Sequence, residues 1–375
     1  MPVTLRFQRI AVSVFFFLAG FTFASWASRI PQIQAKLGLN EAGLGGILFA
    51  LPVGLMASLL VAGNMVARLG SRRILLISAV SYPILLVLLG WANTVWQLVS
   101  LLFLFGFFGN LFNISVNTQA VAVEKNYGKP IMASFHGIWS LAGFFGAAVG
   151  TLMLWLQLSP LHHFAISAIL VLLLIGFFWR GTLSTPAQSG QPVLALPDKS
   201  LLQLGLIAFF CLVCEGTLFD WSGVYFKKVV EAPASIVSLG YAAFMGCMAS
   251  GRFVADKLVG RFGSQKMLVG SGVVIFCGIA LAVLMPVLPV ATFGFMLAGF
   301  GVSSVVPIVY SRAGKHSNMH PGQALAAVSS VGFAGFLAGP PLIGFIAEAG
   351  SLRWSFGLVA LFGLTSGLLA KGLRK

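Results

Sequence analysis

The stretch that decides the fold occurs twice in the chain. Arg68-Leu-Gly-Ser-Arg-Arg-Ile-Leu75 matches Arg261-Phe-Gly-Ser-Gln-Lys-Met-Leu268, which begins 193 residues later. Gly106-Phe107 and Gly299-Phe300 match at the same spacing. Recurrence at one long spacing indicates that the two halves of the chain are built alike.

The first and fifth apolar segments of each half carry further matches. Thr22-Phe-Ala-Ser-Trp26 is similar to Thr217-Leu-Phe-Asp-Trp221 at a spacing of 195, and Gly143-Phe-Phe-Gly146 is similar to Gly335-Phe-Leu-Ala338. Two repeated bundles with one orientation usually enclose a central pathway, with a binding site near the middle of the membrane. The repeat is therefore the strongest indication of a transporter in the sequence.

The composition places the chain in a membrane. Of its 375 residues, 58% are hydrophobic and 8% are charged. A soluble protein has about 25% charged residues, and disorder requires low hydrophobicity with high charge. Both classes are excluded, which leaves a chain whose apolar exterior is solvated by lipid.

The apolar runs are long, rich in glycine and not alternating, which favours helices over barrel strands. We predict an all-α membrane protein with twelve transmembrane helices, numbered spans 1 to 12, in two pseudo-symmetric six-helix bundles. The predicted spans are 10–35, 41–66, 74–92, 96–123, 130–157, 161–180, 201–227, 235–259, 267–286, 289–312, 321–348 and 352–371.

Lysine and arginine in the short loops set the predicted orientation. With the amino terminus inside, 17 of the 23 lysines and arginines lie in inner loops and 5 in outer loops. Both termini are therefore predicted to be cytoplasmic. The net charge of +15 then reflects the bias of lysine and arginine toward the inner loops, and no nucleic-acid partner is expected.

One stretch separates the two predicted bundles. Residues 181–200 are weakly hydrophobic and contain Pro186, Pro192 and Pro197. We predict an N-terminal bundle over 1–180, a cytoplasmic linker over 181–200 and a C-terminal bundle over 201–375, acting as a monomer.

The loop Gly63-Asn-Met-Val-Ala-Arg-Leu-Gly-Ser-Arg-Arg73, between spans 2 and 3, resembles the signature loop of the major facilitator superfamily. That signature has glycine, an aspartate followed by a basic residue, then glycine and a basic pair. Ala67 occupies the aspartate position here, and Gly260 occupies it in the second half. The resemblance covers the whole chain and implies that spans 1, 4, 7 and 10 line the cavity.

Shorter motifs resemble one branch of that family, the YbjJ-type bacterial facilitators near the fucose–proton symporters. These motifs are Ala24-Ser-Trp-Ala-Ser-Arg29, Phe135-His-Gly-Ile-Trp-Ser-Leu141, Glu215-Gly216 with Asp220-Trp221, and Gly339-Pro-Pro-Leu-Ile-Gly344. The branch implies a fold and a class and leaves the solute open.

Glu215, near the middle of span 7, is the first candidate for proton coupling. A buried carboxylate there can take up a proton near neutral pH, because burial disfavours its charged form. Protonation would remove a charge that must otherwise be desolvated as the halves close. The alternative is a structural glutamate bonded to a neighbouring helix.

Asp220, the other acid of span 7, is a second candidate for proton coupling. Its partner in the repeat is Ser25, and Arg29 lies one turn beyond Ser25. An Asp220–Arg29 pair could close an outer gate, and reversing both charges should then restore some of the transport that either single reversal loses.

Asn110, Asn113 and Asn117 in span 4 follow i, i+3, i+7 spacing and share a helix face. Amides both donate and accept, which suits a solute that carries hydroxyl or amide groups. Thr22, Ser25, Trp26 and Arg29 share a face of span 1 and are candidate solute contacts. The repeat relates Trp26 to Trp221, and the two rings could sandwich an apolar or sugar-ring surface. Interhelical hydrogen bonding for the asparagines and interfacial anchoring for the tryptophans are the alternatives.

Span 5 carries a histidine beside a tryptophan. His136 titrates near neutral pH and could relay protons, and Trp139 is a candidate solute contact. A structural histidine is the alternative. Tyr310, near the end of span 10, is another candidate solute contact.

Several charged residues are candidate gating groups. Arg252 and Asp256 have i, i+4 spacing in span 8, which predicts a conformational latch. The signature loop and its repeat contribute the remaining candidates, Arg68, Arg72, Arg73 and Arg261.

No metal, cofactor or catalytic residue is expected. Cys211 and Cys214 have CxxC spacing within an apolar helix, where a redox site is not expected. His162 and His163 follow Pro160 in a predicted outer loop with too few ligands for a metal. Nothing resembles GxxxxGK[ST], so a solute or ion gradient must supply the energy.

These features predict a secondary transporter of a small polar or amphiphilic solute, with a sugar-like one favoured, that works by alternating access and proton coupling. An exporter of drugs or metabolites by proton antiport remains the close alternative. A receptor that does not transport stays open, and an enzyme is disfavoured because histidines and acids are scattered and few.

Overall fold

The structure, a computed structural model, describes residues 4–128, 131–184, 198–313 and 321–373. Most of the predicted linker, residues 185–197, lies outside these ranges. Over the described residues the chain forms fifteen α-helices and no strand. The helices are α1 (Leu5–Ala27), α2 (Ile30–Lys36), α3 (Glu41–Leu48), α4 (Ala50–Leu69), α5 (Ser71–Trp91), α6 (Val95–Tyr127), α7 (Met132–Trp155), α8 (Pro160–Phe178), α9 (Lys199–Lys228), α10 (Leu239–Phe262), α11 (Ser264–Leu284), α12 (Leu288–Val302), α13 (Val305–Ala313), α14 (Pro321–Ala349) and α15 (Leu352–Lys371).

Twelve helical segments of the described chain are long and apolar enough to cross a membrane. They correspond to the twelve predicted spans. Span 2 is divided into α3 and α4 at Phe49, and span 10 is divided into α12 and α13 at Ser303 and Ser304. The prediction of an all-α membrane protein with twelve spans is confirmed.

The prediction that span 1 continues as one helix through Arg29 is wrong. α1 ends at Ala27, and Arg29 is the N-cap of the separate helix α2. Pro31 explains the break, because its ring would clash with a helical carbonyl four residues earlier and it has no N–H to donate. At the start of a new helix the same proline costs nothing.

Helix starts follow local sequence signals. Thr94 and Gln97 form a capping box at α6, in which each side chain bonds the backbone of the other residue. The Asp198 carboxylate accepts from two backbone N–H groups at the start of α9. Ser159 caps α8, which has Pro160 at its first position.

The sequence repeat has an exact structural counterpart at the interhelical turns. Gly70 ends α4 with φ of 81°, and Gly263 ends α10 with φ of 80°. This backbone region favours glycine because it has no Cβ. The repeated signature thus ends one helix and starts the next in the same way in both halves.

The same spacing relates two close helix contacts. A Cβ on Gly106 would lie 2.0 Å from the Leu51 carbonyl oxygen, and one on Gly299 would lie 2.2 Å from that of Phe244. The four residues form two pairs at the spacing of 193. Each half therefore brings two helix backbones together at a glycine.

Polar contacts repeat as well. Gln119 Nε2 donates to Ser71 Oγ at 2.8 Å, and Arg312 Nη1 donates to Ser264 Oγ at 2.9 Å, again at a spacing of 193. Each contact ties the late part of the fourth span of its half to the serine that starts the third.

The described contacts divide the chain into two compact units. One comprises residues 1–39 and 47–190, and the other comprises 40–46 and 191–375. In the first, α7 packs on α1 and α6 packs on α4; in the second, α14 packs on α9 and α12 packs on α10. The short segment Asn40–Gly46 belongs with the second unit, where Glu41 pairs with Lys228.

Candidate functional site

The second unit contains an ion pair inside its apolar interior. Glu215, in α9, is 5% exposed, and its Oε1 lies 3.7 Å from Nη2 of Arg252 on α10. That distance fits an ion pair and exceeds a hydrogen bond. The next residue, Gly216, leaves room for the ring of Phe336 on α14. The carboxylate therefore lies between α9 and α10, and α14 packs against the next residue of α9.

A tyrosine completes this cluster. Tyr310, on α13, is half-buried, interacts electrostatically with Glu215 and shares a hydrogen bond with Ser329 on α14. Tyr310 corresponds at the repeat spacing of 193 to Asn117 in the first half. The structure thus joins two predicted residues, Glu215 and Tyr310, through helices that are distant in sequence.

Arg252, one residue of the predicted latch, pairs with a residue other than the expected Asp256. Arg252 lies beside Glu215, and its Nη2 also contacts the Met248 sulfur at 3.9 Å. The side chain of Asp256 lies outside what the structure describes. The i, i+4 pattern led to a partner on the same helix, whereas Glu215 reaches Arg252 from a neighbouring helix.

The other acid of α9 stands apart from that pair. Asp220 is half-buried and lies five residues beyond Glu215. The predicted gate between Asp220 and Arg29 would join the two units and stays a prediction.

The first unit buries a different cation. Arg29 is fully buried, and its Nε donates to Nδ1 of His163 on α8 at 3.0 Å. Its Nη1 donates to Gln32 Oε1. Because Nδ1 accepts this bond, the neutral imidazole carries its proton on Nε2. Burial lowers the pKa of the Arg29 guanidinium to about 10, which leaves it charged at neutral pH.

Sequence reasoning missed this contact because it placed His162 and His163 in an outer loop. Both residues lie in the first turn of α8, and His163 is fully buried. Ser159 Oγ caps the helix and contacts His162 Nδ1 at 2.7 Å. The Ser-Pro start of a helix was the signal that could have corrected the loop assignment.

The three asparagines of α6 divide into two roles. Asn110 is buried and donates from Nδ2 to Ser58 Oγ at 2.6 Å and to the Leu55 carbonyl at 3.3 Å, both on α4. Asn113 is exposed, and Asn117 donates to its Oδ1 at 2.9 Å. Asn110 therefore links two helices, and the other two form a local amide pair.

The hydroxyl groups on the polar face predicted for span 1 donate hydrogen bonds to carbonyl groups of the same helix. Thr22 donates to the Leu18 carbonyl at 2.8 Å and Ser25 to that of Phe21 at 2.9 Å. Both side chains are fully buried. Such bonds satisfy a hydroxyl within an apolar helix.

The two repeat-related tryptophans are also enclosed. Trp26 is 1% exposed and its ring centroid lies 6.5 Å from that of Phe105, while Trp221 is 0% exposed. The stacking surface predicted for them is therefore not open in this structure. Neither indole N–H has an acceptor among the described residues.

Residues of α7 are more accessible. His136 is exposed and its ring lies edge-on to Phe16 at a centroid distance of 5.4 Å. Trp139 is half-buried. His136 thus lies on the surface of its unit.

The candidate gating arginines at the helix ends lie on the surface. Arg68, Arg73 and Arg261 are exposed, and Arg261 stacks on Phe262 at 5.4 Å. Arg72 donates to Ser184 Oγ at 3.3 Å and lies 5.1 Å above the Trp179 ring.

A buried glutamine near Arg72 escaped the sequence reasoning. Gln119 exchanges two hydrogen bonds with the backbone of Leu183, each of 2.7 Å, besides its bond to Ser71. It holds the segment after α8 against the start of α5. Its partner is 64 residues away, and no local pattern indicates it.

No metal centre is found in the part of the chain that the structure describes, since no three His, Cys, Asp or Glu residues converge there. Cys211 and Cys214 are buried, unbridged thiols, and Cys214 Sγ contacts the Val359 carbonyl at 3.3 Å.

Comparison with known proteins agrees with the twelve-span repeat. The family model of the Major Facilitator Superfamily matches residues 10–321. An uncharacterized MFS-type transporter of Yersinia pestis is 34% identical over 98% of this chain and 96% of its own. An uncharacterized transporter of Sinorhizobium fredii is 35% identical over 97% of both chains.

The fold has close counterparts among solved structures. A D-xylose-proton symporter superposes with a TM-score of 0.80 at 15% identity, covering 99% of this chain and 98% of its own. At this identity the likeness shows the fold. Together, the matches define a multi-pass membrane protein of a transporter class, which is not an enzyme. The chain belongs to the Major Facilitator Superfamily.

Proposed function

We propose that this protein is a proton-coupled secondary transporter of a small polar or amphiphilic solute, with a sugar-like solute favoured. Alternating access of the two bundles would move the solute across the bacterial inner membrane. Both termini would be cytoplasmic, the working unit a monomer, and the YbjJ-type branch the subgroup.

The observation that carries the proposal is the carboxylate of Glu215. It lies within a membrane-spanning helix at 5% exposure, with its ion-pair partner at 3.7 Å. Ionisable groups inside the membrane are costly and mark ion or substrate pathways. If Glu215 had only a structural role, we would expect its carboxylate to accept hydrogen bonds that are shorter than this ion-pair distance.

Proton uptake by Glu215 would change the charge of the pair. The neutral carboxyl would no longer attract Arg252, whose guanidinium stays charged. Asp256 lies four residues further along α10, a spacing that allows such a pair. Arg252 would therefore exchange partners as the proton binds and leaves.

Hydrogen-bond groups without partners support an oxygen-rich solute. The indole N–H groups of Trp26 and Trp221 and the hydroxyl of Ser222 are buried and lack partners among the described residues. A buried donor gains most from an acceptor supplied by a ligand. Hydroxyl and ring oxygens of a sugar are acceptors of this kind.

Polar side chains from the fourth span of each half would complete the contact. Asn113 and Asn117 place amides on one face of α6, and Tyr310 holds the position equivalent to Asn117 in the second half. The first bundle would thus contribute two amides and the second one hydroxyl.

The test begins with a thermal-shift screen of monosaccharides that includes D-xylose, followed by uptake of the stabilising sugar into proteoliposomes. We expect an inward proton gradient to drive accumulation. Glu215→Gln should abolish this accumulation and retain exchange of labelled for unlabelled sugar. Glu231→Gln, which alters an exposed loop glutamate, is the matched control.

Saturable uptake that ignores the proton gradient would sink proton coupling. Uptake driven by an outward gradient would favour export by antiport. Binding without flux of any screened solute would favour a receptor.

A further inference from the structure

A cavity of about 470 Å³ lies within the first unit. It is lined by α1 together with the end of α6 and by α7. Its polar residues are Arg6, Arg9, Ser13 and Tyr127, and none of the described residues that line it is acidic. The cavity therefore presents two cations with no compensating carboxylate in its wall.

One of these cations is held in place. Arg9 Nη1 donates to Tyr127 Oη at 3.5 Å, and its guanidinium carbon lies 5.2 Å from the centre of the tyrosine ring. Stacking orients the planar guanidinium and leaves further N–H groups free to donate. Arg6, one turn earlier, is exposed at the same end of α1. The oxygens of a phosphate group can accept hydrogen bonds from the N–H groups of such a planar guanidinium.

The remaining wall is apolar. Ile10, Val14 and Phe17 follow one another along α1 beyond the arginines, and Ile138 faces them from α7. Ile10 is 42% exposed. The cavity thus has a cationic end and an apolar strip that runs along a membrane-spanning helix. A free inorganic anion would use the first feature alone, whereas an amphiphile would use both.

We propose that this cavity binds one anionic phospholipid, with its headgroup phosphate on Arg6 and Arg9 and an acyl chain along Ile10, Val14 and Phe17. The positive-inside rule places these arginines at the cytoplasmic face. The cytoplasmic leaflet carries the anionic lipids, and basic cavities between helices bind their headgroups. The serine and tyrosine hydroxyls can donate to the same phosphate oxygens.

The test measures binding of phosphatidylglycerol to the delipidated full chain in detergent by native mass spectrometry. Phosphatidylcholine with the same acyl chains is the zwitterionic control, and glycerol phosphate is the headgroup without chains. Arg6→Gln and Arg9→Gln should each weaken phosphatidylglycerol binding about fivefold, and the double variant roughly thirtyfold. Arg73→Gln, which removes an exposed cation outside the cavity, should leave binding unchanged.

A variant that keeps every charge separates the cavity from general attraction to cations. Val14→Trp fills the apolar strip and should also weaken phosphatidylglycerol binding, while thermal unfolding confirms that each variant is folded. Equal weakening by Arg73→Gln, or unchanged binding in the double variant, would overturn the proposal. Glycerol phosphate binding as tightly as phosphatidylglycerol would replace it with a free-phosphate site.

Discussion

The two halves of the chain share a scaffold and differ in chemistry. At the spacing of 195, Glu215 corresponds to Gly20, where a Cβ would lie 2.5 Å from the Trp139 carbonyl oxygen. Arg252 corresponds at 193 to Leu59. One half thus uses the position in the first span for close helix packing, and the other uses it for a buried charge.

The first half has its own buried cation in a different place. Arg29 bonds to His163, and the equivalent positions in the second half are Val224 and Phe356. Phe356 instead packs against Tyr225, with the two ring centroids 4.3 Å apart. The repeat therefore preserves backbone contacts and leaves side-chain chemistry free to diverge between the two halves.

The largest expected effect tests the shared scaffold. Gly106→Ala and Gly299→Ala place a methyl group 2.0 Å and 2.2 Å from a backbone carbonyl oxygen, so the helices must separate. Each substitution should cost about 3 kcal/mol or more and abolish most of the folded yield. Fluorescence-detected size exclusion and thermal unfolding measure both.

The controls are one glycine in each half with open space around it. Gly176→Ala and Gly270→Ala meet no atom within 4 Å and should change stability by less than about 1 kcal/mol. A severe effect in only one half would break the equivalence of the two scaffolds.

The next effect tests the cation that belongs to the first half. Arg29→Lys removes the Nε donor to His163, and His163→Phe removes the acceptor. Each should destabilise the protein by about 1–3 kcal/mol, because the remaining buried group loses its hydrogen-bond partner on the other helix. In a double-mutant cycle, the double variant should lose roughly 1 kcal/mol less stability than the sum of the two single variants. Strict additivity in thermal unfolding would show that the contact contributes nothing.

A smaller effect separates the asparagines of α6. Asn110→Leu should cost about 1 kcal/mol by removing its bonds to α4, and leave sugar affinity unchanged. Asn117→Ala should weaken sugar binding with little loss of stability, since its partner Asn113 is exposed. Thermal unfolding and ligand-induced thermal shifts distinguish these outcomes. A reversal of the two results would contradict the assignment.

The smallest effect concerns the ends of the sixth span in each half. Arg72 contacts Ser184 and Trp179, and its repeat equivalent Gln265 donates to the Leu373 carbonyl at 2.9 Å. Alanine at either position should cost about 0.5–1 kcal/mol. Similar losses in thermal unfolding would extend the equivalence to the surface, and a loss in one half alone would limit it to the core.

The fold could be predicted because hydropathy and the repeat report directly on it. Twelve apolar runs and the repeated Gly-Ser signature identify the helices and the turns between them. The error at Arg29 had a local cause, Pro31, which was visible in the sequence. Boundaries elsewhere depend on how the helices pack.

The candidate site could be predicted only in part. Glu215 and Tyr310 were recognised because polar residues inside spans are rare. Their association, and the pairing of Arg252 with Glu215, bring together helices whose contacts no local spacing encodes. The Arg29–His163 bond likewise joins residues 134 positions apart.

The central claim is that Glu215 takes up the proton, and infrared difference spectroscopy of the purified protein tests it directly without a known solute. The carboxylic-acid band of the wild type should grow as pH falls, and the part of this growth that Glu215 contributes should remain in Glu231→Gln and be lost in Glu215→Gln. A band that titrates identically in Glu215→Gln would assign the proton to another carboxylate and contradict the account.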